Sequence, residues 1–382
     1  MASILYDSLL PQFYMIKNTL VIIFGFLSFH LVAQDNALSQ FFANRIYLNP
    51  AFAGIDKGLQ VTSSARSQWQ KADGGYKFAA FTAEWQEPGW NSGIAFHIQG
   101  SREGLSPFKT FGIGLTYAYI IPFEYSNVHV GLQYSYNQFG LDWSRLTFSD
   151  ELDPVFGAIY GSAVVPGSDK VVFHDFAMGA VWRFDSRMSV NKRAIRRYRS
   201  HVGLSVQHLT SLLGQGPDAS FLQSDTEIPA RITLHGGTII PLTFLSGTTR
   251  KIILSPNFKL ESQGFQVASV KESFTLFSAG TYFIVDQIVS GAFYHSRALI
   301  PGRKHTNACT FVLGFTNTEY EEKRRAYYLG LSVDINATGL GIKSGNVFEI
   351  NFRYNIKGIR PISEKKHAAT TRKTVLDCKD FY

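Results

Sequence analysis

Apolar and polar residues alternate with a period of two along most of the chain, the pattern of strands with one face in each of two environments. From 348 to 356, Phe348, Ile350, Phe352, Tyr354 and Ile356 share one parity, and Glu349, Asn351, Arg353 and Asn355 the other. Between Phe111 and Ile121 the odd positions are large and apolar, while Gly112, Gly114, Thr116 and Ala118 fill the even ones. The same alternation runs through Val128–Tyr136, Val202–Gln207 and Tyr327–Ile335, and Phe274, Leu276, Tyr282 and Ile284 share a parity. Extended to the whole chain, the pattern predicts strands at Gly58–Trp69, Lys77–Gln86, Asn91–Gly100, Lys109–Ile121, Asn127–Gly140, Val171–Phe184 and Ser200–Leu209. It continues with Ala230–Ile240, Lys251–Glu261, Ser273–Val285, Gln287–His295, Asn307–Thr316, Arg325–Ile335 and Asn346–Ile356. That is about 14 strands, and single-chain outer-membrane barrels have an even number. A soluble sandwich would also alternate, but it would put charge on its outer face. Here the face opposite the apolar one is mostly Gly, Ser, Thr, Asn and Gln, with Lys and Arg gathered at strand ends. The expected fold is therefore all-β: a transmembrane antiparallel β-barrel in a single domain, greasy outward and small or hydrophilic inward. Glycine suits such an interior because it leaves room where side chains crowd.

The first segment sets the expected compartment. Leu20–Ala33 is an apolar run too short to span a bilayer as a helix, preceded by Lys17 and ending in Leu31-Val32-Ala33. It reads as a secretory signal peptide over 1–33, cleaved after Ala33, with the true start at Met15. Residues 34–56 then form a pre-barrel periplasmic segment, 57–356 the barrel and 357–382 a basic periplasmic tail. Two connections are long, Asp142–Lys170 and Ser211–Pro229. Long loops normally gather at one end of a barrel and carry its function.

Composition narrows the function classes. Of 382 residues, 45% are hydrophobic and only 17% charged, with 32 Phe, 18 Tyr and 33 Gly. That excludes a disordered chain, and two cysteines exclude a disulfide scaffold. The net charge is +8, concentrated in Arg183, Arg187, Lys192, Arg193, Arg196, Arg197 and Arg199 and again in the tail. Neither cluster carries the interleaved aromatics of a nucleic-acid reader, so both read as solvated segments and no nucleic-acid partner is expected.

Chemistry-bearing constellations are sparse. Cys309 and Cys378 are far apart, the ten His are scattered, and His174-Asp175 are strand neighbours facing opposite ways. No nucleophile elbow or phosphate loop occurs, so no catalytic residue, metal site or cofactor is expected. Two segments exceed what a barrel requires. The first contains Asn49, Pro50, Ala51, Phe52 and Gly54 before the first strand; Asn-Pro starts a turn and Gly54 can take the positive φ that ends it. Its apolar residues are too many for a free terminus, so it plugs back into the barrel or packs on its periplasmic rim. The second contains Asp142, Trp143, Asp150, Asp153 and Pro154. Asp150 and Asp153 admit a calcium-like reading, but Asp/Pro turn chemistry favours hydrogen-bonded loop closure.

These segments resemble the hallmarks of the PorP/SprF family of type IX secretion outer-membrane proteins of Bacteroidota. The run from Gln40 to Gly54 carries Gln-Phe-Phe-Ala-Asn and Tyr-Leu-Asn-Pro-Ala-Phe-Ala-Gly, and Leu-Asp-Trp, Leu-Thr-Phe-Ser-Asp and Asp-Pro follow at 141–154. Further similar stretches are Val202–Thr210, Ile228–Gly237 and Leu254–Asn257. The resemblance spans about Gln40 to Ile356 and departs in Asn191–Ser200, Gly264–Ser273 and the tail, where Lys379 stands in place of the Pro that usually follows the terminal Cys. It implies a non-enzymatic outer-membrane component of the type IX secretion and gliding machinery. The expected partners are outer-membrane lipids and either the periplasmic ring and lipoprotein components or a secreted protein with a C-terminal sorting domain. A passive porin or solute transporter is the alternative, and a barrel-wall lipid hydrolase a more distant one.

Overall fold

The computed structural model describes residues 38–56, 58–71, 73–104, 108–153, 155–158, 161–162, 168–189, 195–214, 216–217, 221, 227–242, 252–264, 274–298, 306–317, 325–336 and 345–356. The expected leader, the tail, Lys192, Arg193, Pro154 and Cys378 lie outside them. Among the described residues the wall strands are β1 (Leu59–Gln68), β2 (Tyr76–Glu87), β3 (Ser92–Glu103), β4 (Phe108–Pro122), β5 (Ser126–Gly140), β6 (Lys170–Ser189) and β7 (Ile195–Gln207). They continue as β8 (Arg231–Pro241), β9 (Ile252–Gln263), β10 (Phe274–Val285), β11 (Ile288–Ala298), β12 (Thr306–Thr316), β13 (Arg325–Asn336) and β14 (Val347–Ile356). Each strand pairs antiparallel with its chain neighbours, and β14 closes on β1 from Leu59↔Ile356 to Ser67↔Phe348. Each predicted span overlaps one of these fourteen strands, but β6 runs five residues past the predicted Phe184 and β7 begins five before the predicted Ser200. Closure leaves no sheet edge unpaired, as a lipid-exposed wall demands.

The outward parity is apolar. Leu115, Leu132 and Leu313 are 59%, 55% and 63% exposed, values a water-soluble wall would not repeat around its circumference. Phe348, Ile350 and Phe352 face the same way, as the alternation predicts. In β10 the assignment inverts: Leu276, Tyr282 and Ile284 are buried inside, and Phe277 and Phe283 face out. This inversion reflects a lumen that is itself partly apolar, lined by Val181, Ile239, Ile253, Tyr282, Val289, Phe293 and Val312.

The strand order places both ends of the wall together, because Leu59 lies opposite Ile356. The tight connections 123–125 and 286–287 turn at that end, and the longest ones, 141–169 and 208–230, open at the other. At the end shared by the wall's termini β6 and β7 run past their neighbours. From Asp185↔Arg199 to Ser189↔Ile195 they pair with each other, whereas β5 stops at Ser126↔Phe184. The basic cluster is thus not one solvated loop. Arg183 points inward and is buried, and Arg187, Arg196, Arg197 and Arg199 belong to strands.

Candidate functional site

The lumen is filled by the chain itself. Residues 38–56 precede β1 and are buried almost throughout, with Gln40, Asn49, Ala51, Phe52 and Ala53 fully so. Of the two placements open from sequence, the structure has this segment within the wall. It carries one helical turn, α1 (Arg45–Leu48), followed by a 3-10 turn at Pro50–Phe52. Asn49 joins them: its extended backbone ends the first, and its side-chain oxygen accepts from Ala51 N at 2.9 Å to start the second. Pro50 fits there because the first position of a turn has no hydrogen bond for its missing N–H. Gly54 leaves the turn at φ +65°, a conformation that side chains disfavour.

Many polar groups of this plug are answered by the wall, as burial favours, although the buried Asn44 amide has no hydrogen-bond partner among the described residues. The Asn49 amide nitrogen reaches Ala180 O (3.2 Å), Leu204 O (3.1 Å) and His235 Nε2 (3.0 Å). Ser205 Oγ donates to Leu48 O at 2.9 Å and Gln207 Nε2 to Tyr47 O at 3.0 Å. Gly54 N donates to Glu84 at 3.0 Å, and Arg45 pairs with Asp56 inside the segment. At the loop end Ser39 N and Gln40 N donate to Glu349 at 2.8 and 3.0 Å. Arg66 bridges Glu349 (3.2 Å) and Asp334 (3.3 Å), and Asp334 accepts from Ser39 Oγ at 2.5 Å. The apolar side chains interlock as well. Phe42 and Phe52 pack against the His201 and His235 rings at centroid distances of 5.2 to 6.1 Å, and Phe41 meets Phe293 edge-on at 5.6 Å.

Three wall glycines make this approach possible. A Cβ on Gly131 would lie 2.4 Å from Ala51 N and Pro50 C, one on Gly93 2.0 Å from Ala53 O, and one on Gly179 2.0 Å from Asn49 Oδ1. The wall is thus recessed where Asn49–Gly54 passes. Sequence reasoning attributed inward glycine to crowding between wall side chains. It did not single out these recesses, the Arg66–Asp334–Glu349 lock or the His201/His235 clamp. The available signal was Gly93, Gly131 and Gly179 on three separate strands, together with an apolar pre-strand segment needing cover.

The second motif lies elsewhere, on the exposed loop between β5 and β6. Its carboxylates close turns. Asp142 accepts from Ser144 Oγ (2.6 Å) and pairs with Arg145 (3.1 Å). Asp150 accepts from Ser162 Oγ at 3.1 and 3.0 Å, and Asp153 accepts from Val155 N and Phe156 N at 2.8 and 3.0 Å. The Ser144 hydroxyl, then Arg145 and Lys109, hold the Asp142 carboxyl below the usual carboxylate range. Trp143 donates to Ser168 O at 3.1 Å and stacks on Phe148. The structure therefore gathers Asn49, Pro50, Ala51, Phe52 and Gly54 in the lumen and Asp142, Trp143, Asp150 and Asp153 at the rim, and does not bring the groups together. The Ser205 hydroxyl donates to the Leu48 carbonyl, and His208 Nδ1 lies 3.0 Å from Asp175 Oδ2.

Comparison with known proteins gives one family. The family described as type IX secretion system membrane protein PorP/SprF matches over residues 31–354. No curated protein matches the chain. Among solved structures, the CymD monoaromatic hydrocarbon channel is 11% identical with a TM-score of 0.46, covering 85% of this chain and 94% of its own. A Pseudomonas aeruginosa FadL homologue is 12% identical (TM-score 0.41, 80% and 92% covered). The Acinetobacter baumannii outer membrane protein Omp33 is 8% identical (TM-score 0.36, 79% and 100% covered).

Proposed function

The chain belongs to the PorP/SprF family of type IX secretion system membrane proteins, and from that premise we propose that it is a filled, non-enzymatic outer-membrane barrel that holds a protein partner of the secretion machinery at its ends. The observation carrying this reading is the occupied lumen. Residues 38–56 fill it with side chains hydrogen-bonded to the wall, which supports a scaffold over the alternative of a passive porin. The lipid-hydrolase alternative has no support from the Ser205 geometry described above. The partner is a periplasmic ring or lipoprotein component, or a secreted protein bearing a sorting domain. The candidate contact regions are the rim loop around Trp143, the projecting β6–β7 ribbon and the 357–382 tail. Export by the 1–33 leader belongs to the same proposal.

Two measurements on the native protein test it. Cross-linking followed by affinity purification from outer membranes is expected to recover a secretion-ring component or a sorting-domain protein, and recovery of neither would overturn the partner reading. Planar-bilayer recording is expected to show no steady conductance; a stable open channel would restore the porin.

A further inference from the structure

Outside the plug, the register of the wall places cations in a row beside the rim loop. On the outward face at the loop end, Lys77 of β2 lies opposite Arg102 of β3, Arg102 opposite Lys109 of β4, Lys109 opposite Gly140 of β5, and Gly140 opposite Lys170 of β6. All four cationic residues are exposed. Like charges directly opposite in an antiparallel pair destabilise it, and this row contains two such pairs in succession. On the same face, one pleat nearer the middle of the wall, come Ala79, Gly100, Phe111, Gln138 and Val172, and beyond them the lipid-facing Leu115, Tyr134 and Phe176. The row therefore stands at the edge of the apolar outward face.

The row also borders a cleft. Lys77, Arg102, Lys109 and Lys170 line it together with Phe111, and Trp143 from the rim loop lines it too. Asp142 and Asp169 are the carboxylates among the residues lining the cleft, so its cations outnumber them; Asp142 is engaged by Ser144 and Arg145 and also acts on Lys109, which leaves Lys77, Arg102 and Lys170 as the cleft cations outside those contacts. At its centre is Gly140. A Cβ there would make only ordinary contacts, 3.8 Å from Asp169 O and 4.0 Å from Lys109 O, so the position between Lys109 and Lys170 carries no side chain although one would fit.

We propose that this cleft binds the phosphorylated headgroup of an outer-leaflet glycolipid, with its acyl chains along Phe111, Leu115, Val172 and Phe176. Phosphate oxygens match the chemistry, since Arg102 can engage one bidentately and the lysines act as point charges. The extent of the row favours a glycolipid over a single-phosphate lipid. Four inter-strand steps of about 4.8 Å separate Lys77 from Lys170, roughly 19 Å in all. That is wide enough for two phosphates on a disaccharide: one at Lys77, Arg102 and Lys109, the other at Lys170. Trp143, stacked on Phe148, also lines the cleft and would border the sugar. The inference rests on the outer-membrane placement proposed above but not on the secretion role.

The test is native mass spectrometry of the purified full-length barrel in detergent, titrated with bis-phosphorylated lipid A, its dephosphorylated form, phosphatidylglycerol and inorganic phosphate. Lipid A is expected to bind, and removing its phosphates to weaken binding by about tenfold or more. The R102Q/K109Q double variant is expected to lose the same factor toward lipid A. G140L, which puts a bulky side chain between Lys109 and Lys170 without changing charge, is expected to weaken it too. Heat-dependent migration on gels confirms that each variant keeps its barrel. Equal binding of dephosphorylated lipid A or phosphatidylglycerol, displacement by inorganic phosphate alone, or unchanged binding by R102Q/K109Q would overturn the site. Membrane fractionation reads the premise separately: recovery with inner rather than outer membranes would overturn the placement and the choice of this lipid, whatever the binding data.

Discussion

Replacing Gly131 with alanine tests how closely the plug and wall are fitted. The added methyl carbon would be 2.4 Å from both Ala51 N and Pro50 C, which are backbone atoms and cannot rotate away. Overpacking of this kind costs about 1–3 kcal/mol. The matched control is Gly140→Ala on the same strand, where the new carbon meets nothing closer than 3.8 Å. Both changes replace a glycine of β5 by alanine, so comparing them cancels most of what glycine removal itself contributes and leaves the clash as the main difference. G131A is thus expected to be less stable than G140A by about 1–3 kcal/mol, read as the shift in urea midpoint of the barrel in detergent at constant slope. The strain does not eject the plug. Phe41, Phe42, Ile46, Leu48, Phe52 and Ile55 are all buried, and at about 1.5–3 kcal/mol per large apolar side chain their combined hold, even as an upper estimate, far exceeds one methyl clash. G131A should therefore be destabilised yet non-conducting in planar bilayers. Equal midpoints for the two variants would refute the close fit, and a conducting G131A would refute the strength of the hold.

Arg66→Ala leaves Asp334 and Glu349 buried without their shared cation; the expected loss is about 3–5 kcal/mol in the same urea assay, and a loss under ~1 kcal/mol would mean the network is not what locks the loop end of the plug. Trp143→Ala removes the bond to Ser168 O and the stack on Phe148, so limited proteolysis should cut within 141–169 faster while barrel stability changes by no more than about 0.5 kcal/mol. Intact-mass measurement of the protein isolated from membranes should give a chain beginning at Gln34; a chain retaining Met1 or Met15 would contradict the leader reading.

The wall was legible because a barrel strand has two faces in two solvents, and the period-two pattern records them directly. Val128–Tyr136 and Phe348–Ile356 needed nothing more than parity. Legibility failed where a residue's partner is distant in sequence. Asn49 announces a turn, and the turn is there, but its amide nitrogen reaches Ala180 O, Leu204 O and His235, none of which the local sequence points to. The loop carboxylates were more readable because Asp142 and Asp153 bond within three residues of themselves, the range over which Asp turn chemistry operates. Arg183 was misplaced because its charge suggested solvent, whereas its parity in β6 turns it inward.

The inversion in β10 has the same origin as the glycine recesses. A barrel that encloses water can be read by hydrophobicity alone, because its inner face must be polar. One that encloses part of its own chain has a packed core inside, and both faces then carry large apolar residues, as Tyr282 and Phe283 do in succession. Register resolves the ambiguity, since residues directly opposite share a face. Tyr282 pairs with Ser255, which is buried inside, and Phe283 with Leu254 of the outward parity. Propagating the face of an unambiguous strand through its cross-strand partners therefore assigns a strand whose own alternation does not. Applied to β3, β5 and β6, the same propagation turns Gly93, Gly131 and Gly179 inward, where each meets a backbone or amide atom of the Asn49–Gly54 turn. The glycines and the turn are thus two sides of one contact, and neither is explained by the barrel wall without the other.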